Sequence, residues 1–403
     1  METCVFQPAE ILLPADADMQ QWSTIACDQF TSDGAYWEQV EAVVGTSPST
    51  LRLMLPEYYL GKCDEAARTN AIQNTMRSYL DGGVFAAFPH SFVFVERTLN
   101  NGAVRRGLVG QVDLEAYDFA SDSDSPIRAT EGTVESRLPA RVRVRADAAL
   151  EMPHIMLFFN DPEDAIMRQA DALAAETLYD FDLMLNGGHI RGRRIRDEHA
   201  DQIAQMLQEQ TSVSRMQYAV GDGNHSLAAA RQFWVKTRAQ LDPALWDNAP
   251  ARYALVELVN IHDPAITFEP IHRVLFHTDA DAFFAEAVRE LGADSAAYSI
   301  TLLASGEEKT ISVAGSSIGA VIERVEAFCR TYVTSHGGEI DYIHGDEETR
   351  FLASAPDSAG ILLPMMEKDE LFSSVERSGP FPKKSFSIGL GPDKRYYTEC
   401  RRL

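Results

Sequence analysis

An apolar run ends at Val220, and six residues of a different kind follow: Gly221, Asp222, Gly223, Asn224, His225 and Ser226. Beyond them "LAAARQFW" (227–234) reads as helix. The start of a helix leaves N–H groups unpaired and carries partial positive charge. Glycines in the turn before it let the backbone come close to an anion. Gly221 and Gly223 supply that freedom, and Asn224, His225 and Ser226 stand where N–H groups and side chains converge on a phosphate. Asp222 is the odd member; an acid beside an anion site makes sense if it holds Mg²⁺ or pins the turn. The same residues also read as an ordinary cap, because Asp and Asn commonly cap helices. The stretch is neither a P-loop nor a Rossmann GxGxxG.

Other residues have types suited to chemistry. "PIRATEGTVESRLPAR" (126–141) brings together Arg128, Glu131, Glu135 and Arg137 after a polar loop, either as part of a site or as a solvated charged segment. Asp113 and Glu115 in "GQVDLEAYD" fall on one face if that segment is a strand, where two acids either chelate Mg²⁺ or face solvent. His154, His272 and Arg273 read first as hydrogen-bonded structural residues, with Arg273 the better candidate for a site. His189 follows a second glycine turn, "NGGHIRG". His199, His262 and His277 have no metal-ligand spacing, and no zinc is expected. The five cysteines, Cys4, Cys27, Cys63, Cys329 and Cys400, are odd in number and lack a CxxC, which argues against a disulfide framework. Cys27 is the candidate thiol nucleophile, against the commoner role of a small buried residue.

The elements that must position these groups follow from periodicity. Thr31-Ser32-Asp33 caps a helix closed by Gly45, and 64–80 is a second helix ended by Asp81-Gly82-Gly83. "STLRLMLPEYYL" (49–60) reads as a short strand and a Pro-started turn. Strands over 91–99 and 104–119 flank Asn100-Asn101-Gly102, a hairpin signal. "RVRVRADA" (141–148) alternates at period two and reads as a strand, as does "HIMLFFND" (154–161). Helix is expected over 162–180, 197–210 and 224–241, with strand at 252–261. From about 279 to 345 helices and strands alternate. The expected fold is α+β (mixed α/β) with a mixed sheet, divided into a core at 1–275 and a smaller α/β region at 276–403.

Composition bounds the function. The chain has 403 residues, 45 % of them hydrophobic, with 60 acids against 36 bases and a net charge of −24. That excess of acid disfavours a large nucleic-acid surface. No apolar run reaches the roughly 20 residues that span a bilayer. The N-terminus, with early acids and no basic start, does not read as a signal peptide. A cytoplasmic protein is expected.

"YAVGDGNHSLAAAR" resembles the Asp-Gly-x-His motif of the DUF1015 family, a branch of the ParB/sulfiredoxin-like superfamily. "SPIRATEGTV", "EMPHIMLFFND", "FEPIHRVLF" and "DYIHG" resemble it too, so the similarity runs over most of the chain. The resemblance implies a nucleotide-binding core that holds phosphates at this turn, and some relatives are kinases of free L-serine. It therefore implies ATP or ADP with Mg²⁺, and a small hydroxylated substrate. Asp222 and His225 would serve the reaction, His225 touching the transferring group. Gly221, Gly223, Asn224 and Ser226 would hold phosphates, Asp222 or the pair Asp113 and Glu115 would hold Mg²⁺, and Glu131 would take the hydroxyl proton. Many relatives carry Arg where Ser226 stands, so Arg128 or Arg273 must supply the missing charge. Thr130 stands where relatives have His. Both departures favour the alternative, a ParB-like nucleotide-binding switch without transfer chemistry. The thiol of a sulfiredoxin-like reaction is absent, since Asn224 replaces it.

Overall fold

The computed structural model describes residues 4–133, 138–294, 298–389 and 391–403. The fold is mixed α/β, in two compact units. The first contains residues 1–129, 133–266 and 390–403; the second contains 130–132 and 267–389.

The first unit is built on an eleven-stranded sheet. Its path runs Glu176–Asp182, His189–Arg196, Phe85–Thr98, Val104–Asp113, Tyr253–Asn260, Met156–Phe159, Tyr218–Asp222, Ile127–Ala129 and Tyr117–Asp118. Phe6–Gln7 and Ala9–Pro14 pair off this path. Most pairs are antiparallel. Tyr253–Asn260 runs parallel to Met156–Phe159, and Tyr218–Asp222 runs parallel to Ile127–Ala129. Side chains alternate between faces at period two. Phe92 and Phe94 enter one apolar cluster with Leu227 and Ala228, while Val93 and Val95 enter another with Trp37 and Val40. Both faces are thus covered, which explains why the central strands read as unbroken apolar runs.

The hairpin at Asn100-Asn101-Gly102 forms as its sequence demands. Thr98 pairs with Val104, Gly102 takes φ +83°, and Asn101 Oδ1 accepts the Ala103 N–H at 2.9 Å. Asp33 caps Gly34–Val44 through the Tyr36 N–H.

Three segments differ from expectation. Residues 138–146 form a helix, Leu138–Ala146, in place of the strand that period-two alternation suggests. The helix packs on Asn224–Arg238, and its arginines one turn apart find separate acids, Arg141 with Glu57 and Arg145 with Glu151. The helix expected over 162–180 stops at Leu173, and Glu176–Asp182 joins the sheet edge against His189–Arg196. "STLRLMLPEYYL" forms two 3₁₀ turns, Thr50–Leu53 and Glu57–Tyr59.

The second unit holds a six-stranded antiparallel sheet in the order Glu307–Val313, Tyr298–Ala304, Ser358–Leu362, Phe268–Phe276, Glu339–His344, with Phe386–Ile388 also on Phe268–Phe276. A boundary at 275/276 would cut the strand Phe268–Phe276, which is hydrogen-bonded on both sides. At the other end of the chain, Tyr396–Tyr397 pairs with Thr24–Ile25, and Arg401–Arg402 pairs with Leu150–Glu151, so 391–403 is part of the first unit.

A buried ion network fixes that C-terminal segment. The Arg395 guanidinium pairs with Glu257 and reaches Glu399 at 2.5 Å and the Pro153 carbonyl at 2.9 Å. Burial pushes the Glu257 carboxyl up, and the Arg395 and Arg105 charges outweigh it, so the net shift is down. Gly107 faces Glu257; a Cβ there would sit 2.2 Å from the carboxylate. Removing one partner of a buried charge group leaves the rest uncompensated. Arg395→Ala is therefore expected to cost about 3–5 kcal/mol in urea denaturation. Arg402→Ala, which breaks only an exposed pair with Glu10, is expected to cost under about 1 kcal/mol.

Candidate functional site

The strand Tyr218–Asp222 ends on a left-handed Gly223 (φ +78°, ψ +24°), from which the helix Asn224–Arg238 starts. The turn carries intramolecular bonds of its own. Asp222 Oδ1 accepts the Gly223 N–H at 2.8 Å, and the Gly223 carbonyl accepts the Ser226 and Leu227 N–H groups. The glycines serve packing. A Cβ on Gly221 would sit 2.4 Å from the Phe158 ring, and one on Gly223 would sit 2.9 Å from Ile155 Cα. What approaches these two backbones is protein. Asn224 and His225 occupy the first two helical positions, both half-buried.

Three other segments of the first unit converge on this turn. Lys394 Nζ lies 3.2 Å from Asp222 Oδ2. His154 Nε2 lies 3.1 Å from Ser226 Oγ and 3.7 Å from Asp28 Oδ2. On the other side of the ring, His154 Nδ1 is 2.8 Å from the Tyr397 hydroxyl. That hydroxyl lies 3.3 Å from Cys27 Sγ and accepts the Cys27 N–H at 3.3 Å. Asp28, His154, Ser226, Tyr397, Lys394 and Asp222 thus form one polar cluster, in which His154 is 8 % exposed and Tyr397 3 %.

The cluster sets its own charge states. Burial pushes the Asp28 carboxyl up, but His154, the Gln29 side chain and Lys394 together hold it below the usual carboxylate range. Burial, reinforced by the Asp28 charge, pushes the Cys27 thiol up to about 12. Burial also lifts the Tyr397 phenol well above its ordinary value, as do Cys27 and Asp28. Cys27 and Tyr397 therefore stay protonated near neutrality, and Cys27 is not a ready nucleophile.

Other sequence candidates lie elsewhere or are already engaged. Asp113 is the last residue of its strand and Glu115 sits in the 3₁₀ turn after it, so the two do not share a strand face. Asp113 is clamped by Arg252 at 2.6 Å; Glu115 is bound by Arg238 and Trp234 at 2.5 Å, with Arg231 at 3.5 Å. Arginines have consumed both carboxylates, so this pair does not fit a Mg²⁺ site. Among the described residues no group of three or more His, Cys, Asp or Glu is disposed for a metal.

Arg273 is fully buried in the second unit, where its Nε donates to Glu326 at 3.0 Å. Lys394 stands at the turn, 3.2 Å from Asp222. Arg128, on the strand beside Tyr218–Asp222, is buried and donates Nε to the Ser125 carbonyl at 3.0 Å. Glu131 belongs to the second unit, where its Oε1 accepts the Lys384 N–H at 3.1 Å. Glu135 and Arg137 lie outside the described residues. His272 is structural, accepting the Leu363 N–H on Nδ1 and facing Asp346 at 2.9 Å. His189 bridges Asp180 and Asp182 at the sheet edge.

Two outcomes test this electrostatic description. The lowered Asp28 pKa means that its contribution to stability is present above the unfolded value and is lost as pH falls through the folded one. The stability gap between wild type and Asp28→Asn is thus expected to persist from about pH 6 down to about 3.9 and to close as pH falls below that. In alkylation at about pH 8, Cys27 is expected to react more slowly than an ordinary thiol of pKa about 8.5. Peptide mapping of iodoacetamide-treated protein reads this directly, with a denatured sample as reference.

The chain matches the model of the DUF1015 family, described as a protein of unknown function, over residues 7–361. No curated protein matches it. Several solved structures are similar at low identity. SbnI with a C-terminal truncation, from Staphylococcus aureus, shares 12 % identity over 70 % of this chain and 82 % of its own, with a TM-score of 0.37. A free serine kinase in complex with AMP shares 11 % over 72 % and 90 %, with a TM-score of 0.36. A conserved hypothetical protein from Pyrococcus furiosus shares 10 % over 73 % and 94 %, with a TM-score of 0.35. Lys394 and Tyr397 fall beyond the matched range, whereas the turn, His154 and Asp28 fall inside it. On the extent of that match, the chain belongs to the DUF1015 family.

Proposed function

We propose that this protein is a nucleotide-dependent phosphotransferase that acts on a small hydroxylated metabolite, with free L-serine the first acceptor to test. One observation carries the reading. The strand-to-helix turn at Gly221–Ser226 gathers a helix start, the Ser226 hydroxyl and the Lys394 ammonium within one polar cluster. These are the donors a phosphate requires: an oriented helix start, a hydroxyl and a point charge. Lys394 would take the role of the arginine that relatives carry after the histidine. Asn224 and Ser226 would face the phosphates and His225 the transferring group. ATP or ADP is the proposed donor. Phosphoryl transfer depends chiefly on positioning and charge neutralisation, which these residues would supply.

A second reading is favoured by the arginine-bound state of Asp113 and Glu115, which leaves that carboxylate pair no part in chemistry. The protein would then bind nucleotide as a switch. Calorimetry with ATP and with ADP, paired with detection of O-phosphoserine after incubation with L-serine and magnesium, separates the two. Binding with product formation is expected. Binding without product, across a panel of candidate acceptors, leaves the switch, and no binding of either nucleotide removes both. Lys394→Ala is expected to weaken nucleotide affinity about tenfold or more, because it removes a charge-assisted contact of about 1.5–3 kcal/mol.

A further inference from the structure

We infer that Ser226 is a nucleophile activated by His154, and that it takes a phosphoryl group from a nucleoside triphosphate to become phosphoserine. The donor in this step rests on the nucleotide reading above; the activation of Ser226 rests on geometry alone. Ser226 Oγ lies 3.1 Å from His154 Nε2, within the reach that a nucleophile and its base require. A third group orients the base: the Tyr397 hydroxyl holds Nδ1 at 2.8 Å, and Tyr397 is itself fixed by Cys27. With Tyr397 donating to Cys27 Sγ, its oxygen accepts from His154 Nδ1–H, and Nε2 is the nitrogen left to accept the Ser226 proton. The tautomer is assigned from this network of partners.

The surrounding charges suit the step. Asp28 stays ionised 3.7 Å from Nε2, where it stabilises the imidazolium that forms. Ser226 lies in the first turn of the helix Asn224–Arg238, whose partial positive charge favours a developing alkoxide. Ser226 is half-buried, while His154 is buried. In the step, a bond forms between Ser226 Oγ and the terminal phosphorus. The bond from that phosphorus to the bridging oxygen breaks, the nucleoside diphosphate leaves with the electron pair, and the Ser226 proton passes to His154 Nε2.

The test has two arms on the full-length protein. Diisopropyl fluorophosphate, a phosphorus electrophile that needs no nucleotide site, is mapped by peptide mass spectrometry. ATP labelled in its terminal phosphate is mapped in parallel, with nucleotide binding followed by calorimetry. Modification of Ser226 by both reagents is expected. His154→Gln is expected to slow the fluorophosphate reaction about a hundredfold or more. Tyr397→Phe keeps the imidazole and is expected to slow it less. Failure of the fluorophosphate to mark Ser226 in folded wild type would overturn the inference. So would an undiminished rate in His154→Gln that keeps the wild-type near-UV dichroism. Bound ATP with no phosphate on Ser226 overturns it too, and leaves the nucleotide reading standing. Absence of nucleotide binding instead removes the phosphotransferase reading and the donor with it.

Discussion

The candidate site depends on a guanidinium that is not part of it. Arg395 is buried between Glu257 and Glu399 and also donates to the Pro153 carbonyl. Such a group is costly to desolvate and holds only if every partner is in place. That requirement fixes three segments at once. Glu257 lies on a central strand of the sheet, Pro153 immediately precedes His154, and Arg395 carries Lys394 on one side and Tyr396–Tyr397 on the other. The Arg395 carbonyl also accepts the Ala26 N–H at 3.0 Å, one residue before Cys27 and Asp28. One buried charge thereby sets the relative positions of Asp28, His154, Lys394 and Tyr397.

The turn is held against this frame by shape. Gly223 takes a left-handed conformation at which a side chain is strained, and its missing Cβ lets the Ile155 backbone and the His154 ring approach. The approach brings the His154 ring to Ser226. The positive charge at the turn comes from Lys394, balanced by Asp222 and by the ionised Asp28. Lys394 and Asp222 pair within the cluster, so burying each costs less than it would alone. Arginines elsewhere in the first unit are spent on structure: Arg252 on Asp113, Arg238 on Glu115 and Arg401 on Glu151.

Much of the fold is legible in local signals. The hairpin at Asn100-Asn101-Gly102, the Asp33 cap and the helix that starts at Asn224 follow from conformational preferences of one to four residues. Period-two reading fails at Leu138–Ala146 because arginine is a good helix former and its partners, Glu57 and Glu151, lie far away in sequence. The Asp113–Glu115 pair misleads for a related reason. The strand ends at Asp113, and the arginines that claim the two acids come from residues 231–252.

The sequence by itself determined the family, the mixed α/β class and the turn at 221–226, because short-range geometry and composition suffice for these. It could not show that Lys394 and Tyr397 belong with that turn, since some 170 residues separate them and no spacing rule links them. Nor could it show that Arg273 is buried on Glu326 while Lys394 stands at the turn. Those assignments were decided by the tertiary structure. Which cation meets which acid is fixed by the pairing of distant strands and by the burial of Arg395, and neither leaves a local trace in the chain.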